Sequence, residues 1–103
     1  MTAFAPGEVA ASVSRALWGE VSGKLRSVQF RTAEHRIDLR FFFAGNPDNL
    51  DLDSISSVGA EVAADFPDYT VAENVIPTRA DTEIPCQDGW HTAYVRREPT
   101  LAR

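Results

Sequence analysis

The sequence is poor in the residues that usually make chemistry easy to read. Among 103 residues there is one cysteine, Cys86, which excludes an internal disulfide and a multi-cysteine zinc site. Bases are scarce: ten Lys and Arg stand against fifteen Asp and Glu, a formal charge of −5. A chain with that deficit is a poor general ligand for nucleic acid or anionic membranes, because neutralising phosphates takes a surplus of cations. No apolar run nears the ~18–20 residues needed to span a bilayer. The opening stretch MTAFAPGEVAAS lacks the basic-then-apolar layout of a secretory signal, so a cytoplasmic location is expected. Phosphate loops of the forms G-x-G-x-x-G and G-x-x-x-x-G-K-[ST] are absent.

What is there fits one globular domain over residues 1–103, with an ordered core from about 7 to 98. In residues 7–21, Val9, Val13, Leu17 and Val21 recur every four positions, which predicts a helix opened by Pro6-Gly7 and stopped by Ser22-Gly23. The period then changes to two. Over 24–32, Val28 and Phe30 share one face while Ser27, Gln29 and Arg31 take the other. Over 36–43, Ile37, Leu39, Phe41 and Phe43 point inward, and the short Ala33-Glu34-His35 link makes the two strands an antiparallel hairpin.

After the turn cluster at 45–48 comes a second helix whose apolar stripe is Leu52, Ile55, Val58, Gly59, Val62, Ala63 and Phe66. Asp48, Asp51 and Asp53 sit at its positive end, and Pro67 closes it. Gly59 and Ala63, one turn apart, suit close approach to a sheet. Strands follow at 69–76, ending at Pro77, and at 90–97, where Trp90, Thr92 and Tyr94 oppose His91, Ala93 and Val95. A polar loop over 78–89 separates them, and 99–103 is expected to fray. The order α-β-β-α-β-β predicts an α+β two-layer sandwich: a four-stranded, mostly antiparallel sheet with two helices on one face.

Charge is distributed unevenly. Residues 1–47 hold four acids and six bases, residues 48–88 ten acids and only Arg79, and residues 89–103 three bases and Glu98. Asp53, Glu61 and Asp65 lie off the second helix's stripe, while Asp68, Asp81, Glu83 and Asp88 lack sequence-local cations beyond Arg79. Surface acids keep small domains soluble; a one-signed patch also speeds association with a basic partner.

No catalytic, metal or cofactor site emerges. His35 and His91 have no metal-ligand spacing, and Cys86 with His91 is the sole conceivable nucleophile pair. Phe42 must face away from Phe41 and Phe43, so it lies on the open sheet face and is exposed there unless something packs on it. Arg26, Arg36 and Arg40 near that face resemble an RNA-binding sheet only superficially, because no RNP-type aromatic motif is present.

The stretch Leu39-Arg40-Phe41-Phe42-Phe43 and the segment 54–69, which contains E-V-A-A-D-F-P-D-Y, resemble small immunity proteins of bacterial polymorphic toxin systems, of the contact-dependent growth inhibition type. The likeness spans roughly residues 16–77. It implies a cytoplasmic protein that binds and neutralises one cognate toxin domain, often a nuclease, without catalysis; no site residue is carried over from it. The acidic half agrees, since a nuclease that grips nucleic acid tends to present a basic surface. Asp51, Asp53, Asp65, Asp68, Glu73, Asp81 and Glu83 are the expected partner contacts, with Tyr69 or Trp90 as the buried anchor. The free protein would be a monomer or weak homodimer. The alternative is a homodimeric scaffold or small-ligand domain pairing through its open sheet face at Phe42.

Overall fold

The computed structural model describes residues 6–85 and 87–98, so Cys86 and the tail over 99–103 lie outside the described residues. Helix α1 (Pro6–Ala16) begins with proline, whose missing N–H is one of the donors a helix start leaves unpaired anyway. Glu8 in its first turn and Arg15 in its last suit the helix dipole. Val9, Val13, Ala16 and Leu17 are buried, as the spacing requires. The helix nevertheless stops a turn before the expected Ser22-Gly23. The Trp18 N–H bonds back three residues to the Arg15 carbonyl, and Gly19 follows at φ +79°. A glycine in the left-handed region is a common exit from a helix, so Gly19 is the stop and Val21 is left exposed.

Strands β1 (Leu25–Ala33) and β2 (Arg36–Ala44) form the expected antiparallel hairpin. Ala33 pairs with Arg36, leaving Glu34 and His35 to turn the chain, with His35 at φ +58°. Helix α2 (Asn49–Asp65) leads to β3 (Thr70–Thr78), and β4 (His91–Val95) comes last. The sheet order is β3-β2-β1-β4. β1 pairs antiparallel with β2 and β4, whereas β3 runs parallel to β2. A parallel neighbour needs a crossover of a dozen residues or more, and the 17 residues of α2 supply it. The result is the expected α+β arrangement on a mixed sheet. β3 continues through Pro77 to Thr78 instead of ending before it; an edge strand tolerates proline because one side of its backbone has no ladder to serve.

The core lies on one face of the sheet. Val28 and Phe30 of β1 and Ile37, Leu39, Phe41 and Phe43 of β2 pack with Val9 and Val13 of α1 and with Ile55, Val58 and Val62 of α2. Burying each such side chain contributes about 1.5–3 kcal/mol, which is why the alternation in β2 was so clean a signal. At the start of α2 the phase differs from the expected stripe: Asp51 is turned inward and Leu52 is exposed. The cause is a reciprocal cap. The Asp51 N–H donates to Asp48 Oδ1 at 2.9 Å, and the Asp48 N–H donates to Asp51 Oδ2 at 3.0 Å.

Phe42 lies on the open face as expected, and something does pack on it there. It is 1% exposed on the face opposite the helices. The chain between β3 and β4 crosses that face: Gln29 donates to the Pro85 carbonyl, Arg40 donates to Gln87, and Arg26 donates to Thr78 and to the Arg79 carbonyl. The Arg40 guanidinium also lies over the Phe42 ring, 5.3 Å from its centroid. Pairing of two copies through a free Phe42 has no such surface to use. In β4 the expected alternation is broken. The consecutive residues Val28 and Gln29 of β1 oppose Tyr94 and Thr92, which leaves Ala93 of β4 as the extra residue of a bulge, so that Tyr94 opposes Val28 and His91 opposes Phe30. Both then sit on the core side, His91 stacking on Phe30 and Tyr94 packing on the core.

Candidate functional site

The acidic residues expected to meet a partner divide between the two faces of the sheet, α2 lying on one and the 79–90 loop on the other. Asp51 is 6% exposed and its carboxylate is engaged inside the cap. Burial raises its pKa, but bonds from the Asp48 N–H and the Ser22 hydroxyl, with nearby Lys24, lower it more, and the net direction is downward. Asp65 is exposed yet committed: it accepts from Ser12 Oγ at 2.6 Å and from Arg15 Nη2 at 3.1 Å, tying the end of α2 to α1. The Ser12 bond, then Arg15, hold its carboxyl below the usual range.

Others are unspent. Asp53 and Glu61 on the outer side of α2, Asp68 beyond its end and Glu83 in the loop are exposed, and none has a basic partner within ion-pair distance among the described residues. Among the described residues Asp81 is paired only with its near neighbour Arg79, at 3.3 Å. Glu73 is the unusual one. It projects from β3 over Gly59 of α2, so close that a Cβ on that glycine would lie 1.8 Å from Glu73 Oε2. Partial desolvation there raises its pKa.

Of the expected anchors, Tyr69 is half-buried against Phe66 and His35, each ring 6.2 Å away. Trp90 lies on the open face, with the Arg40 guanidinium 3.7 Å and the Arg31 guanidinium 4.5 Å from its ring centroid. An aromatic that was not singled out is far more available: Trp18, in the turn after α1, is 82% exposed. The signal for it was its position one residue past Leu17, off the buried four-residue stripe.

The other feature missed is basic. Arg31, Arg36, Asp38, Arg40, Asn74, Ile76 and Trp90 line an open groove of about 540 Å³ on the face away from the helices. Alternation within single strands put these arginines on the solvent side but could not show that registry gathers them. No group of three or more His, Cys, Asp or Glu able to hold a metal occurs among the described residues, and no helix there is long and apolar enough to cross a membrane.

The whole of this architecture, from α1 through the residue that follows β4 by three, matches one family model, the MafI2 immunity protein, over residues 6–98. The chain belongs to the MafI2 immunity protein family. The immunity-protein resemblance read from the segments 39–43 and 54–69 therefore holds as to immunity and polymorphic toxins, in a family other than the contact-dependent growth inhibition type named for it. Membership in the MafI2 family implies a cognate toxin as partner. A search of curated proteins gave no match.

Proposed function

We propose that this MafI2 family member neutralises its cognate toxin by covering it, with no catalysis of its own, and that the toxin is a basic nuclease domain met in the cytoplasm. The family match over residues 6–98 carries the immunity reading. The finer reading is supported by the exposed, unpaired carboxylates Asp53, Glu61, Asp68, Glu73 and Glu83, with Asp81 in reserve beside Arg79. Each can accept a charge-assisted bond from a partner's Arg or Lys without breaking an internal pair. Glu73 gains most, because an arriving cation offsets the desolvation it already bears. Asp51 and Asp65 are left out of the contact set, being engaged within the fold. Trp18 offers the apolar anchor that an interface of carboxylates alone would lack. Burial of Phe42 favours a free protein that is monomeric, or at most weakly dimeric.

The test is association kinetics with the toxin domain captured from the protein's own cells. Reversing Asp53 and Asp68 to Lys is expected to slow association at least about tenfold at low salt and to flatten its salt dependence. A native pair whose association ignores salt, or reversed variants that bind as fast, would sink the acidic-docking reading and leave the family membership untouched.

A further inference from the structure

The open sheet face carries a site of the opposite sign. β2 places Arg36, Asp38 and Arg40 at alternate positions, and Arg31 of β1 lies directly across from Asp38. Asp38 accepts from Arg36 Nε at 2.8 Å and pairs with Arg31 Nη2 at 3.5 Å. Arg40 has no carboxylate partner among the described residues. Its Nη1 donates to Gln87 Oε1 at 2.9 Å and its Nη2 to Gln29 Oε1, both neutral amides, and its buried Nε has no hydrogen-bond partner among the described residues.

Three guanidiniums around one carboxylate leave a surplus of positive charge in the groove, within a chain whose formal charge is −5. Gathering like charges this way is unfavourable, and burial together with the charge of Arg31 lowers the pKa of Arg40. The Trp90 ring offsets part of that by receiving both Arg31 and Arg40 on its π-system. Even so, Arg31 and Arg36 keep about half of their side-chain surface in solvent. Their free N–H groups line an open concavity bordered by Asn74 of β3.

We propose that this groove receives an acidic side chain, or a short run of them, from the toxin bound by the immunity surface, so the proposal rests on the immunity reading. A carboxylate matches both the planar guanidinium forks and the small surplus of charge. A nucleic acid does not. Duplex DNA brings one negative charge per ~1.7 Å of axis, far more than the small surplus left by three guanidiniums around one carboxylate. The partner would thus be bipolar, with basic residues for the outer acids and an acidic finger for the groove.

The native protein, ¹⁵N-labelled, is titrated with hexaglutamate and separately with hexathymidylate, reading the Trp90 indole and the Arg31 and Arg36 Nε–H resonances. Saturable shifts with hexaglutamate, much weaker shifts with hexathymidylate, and an unmoved Trp18 indole are expected. The double substitution Arg31→Gln/Arg36→Gln should weaken hexaglutamate binding by about tenfold or more and weaken toxin binding likewise. No saturable shift in the native protein, an equal or larger response to hexathymidylate, or undiminished binding by a folded double variant overturns the proposal. Asp53→Lys/Asp68→Lys separates the two readings. Its toxin association should fall while its groove still fills with hexaglutamate, so either reading can fail without the other.

Discussion

The Arg26 guanidinium and the Glu98 carboxylate meet in a two-pronged bond, Nε to Oε2 at 2.7 Å and Nη2 to Oε1 at 2.9 Å, across 72 positions of sequence. Arg26 is only 3% exposed, and its remaining Nη1 donates to Thr78 Oγ1 and the Arg79 carbonyl. The bond from Arg26, with help from Arg96 and against the pull of burial, lowers the Glu98 pKa to about 2 from its ordinary 4.5. A carboxyl depressed in the folded state contributes stability that is fully present above about 4.5 and is lost as pH falls toward 2. Asp51 and Asp65 act in the same direction and Glu73 in the opposite one. Glu98→Gln should therefore cost about 2–3 kcal/mol at neutral pH, since it leaves a buried guanidinium without its counter-charge. The loss should shrink at pH 3. Denaturant melts at the two pH values check this, and an equal loss at both contradicts it.

Gly59 and Glu73 are expected to be energetically coupled. Alanine is better than glycine inside a helix by about 0.8–1 kcal/mol, but the added Cβ would collide with the Glu73 carboxylate. Gly59→Ala alone should gain less than the helix preference offers. With Glu73→Ala also present it should gain most of it, giving a coupling of at least about 0.5 kcal/mol in a double-mutant cycle. Additive effects would show that Glu73 swings aside freely.

Phe42→Ala distinguishes a covered ring from an exposed one. Truncating a Phe in a packed setting costs about 3–5 kcal/mol, whereas surface changes stay within about 0.5 kcal/mol. The larger loss is expected, read as a lowered denaturation midpoint with an unchanged slope. A near-neutral result would restore Phe42 as a surface on which two copies could pair.

Trp18→Ala should leave folding stability within about 0.5 kcal/mol of the native protein, because the ring is mostly in solvent. As an interface anchor it should cost 2 kcal/mol or more in toxin affinity, on the order of thirtyfold. Calorimetry on the complex checks the prediction. Unchanged affinity would move the anchor to another aromatic.

What could be read from the sequence was what local periodicity encodes. The alternation Ile37-Leu39-Phe41-Phe43 and the three-four spacing Ile55-Val58-Val62 identified their elements and their buried faces, because burial repeats with the backbone's own period. Ends that depend on one backbone angle were less legible: Gly19 ended α1 before a stripe that, on paper, ran to Val21. Least legible were relations set by strand neighbours. Only the register of β1 against β2 puts Arg31 across from Asp38, and it takes the crossing loop together with Arg40 to hide Phe42. The same holds for the acids. Composition counted them, but the cap at Asp51 and the bonds from Ser12 and Arg15 to Asp65 decide which remain free for a partner.

The strand order β3-β2-β1-β4 has a consequence for synthesis on the ribosome. The hairpin that emerges first forms the centre of the sheet, β3 is then added on one side, and β4 on the other. Each strand finds its place at an existing edge, and none has to insert between two already paired. The nascent chain can grow its sheet outward from the middle. Until Glu98 has emerged from the exit tunnel, however, Arg26 lacks its two-pronged partner, so the clasp between β1 and the segment after β4 is the last of these contacts to form.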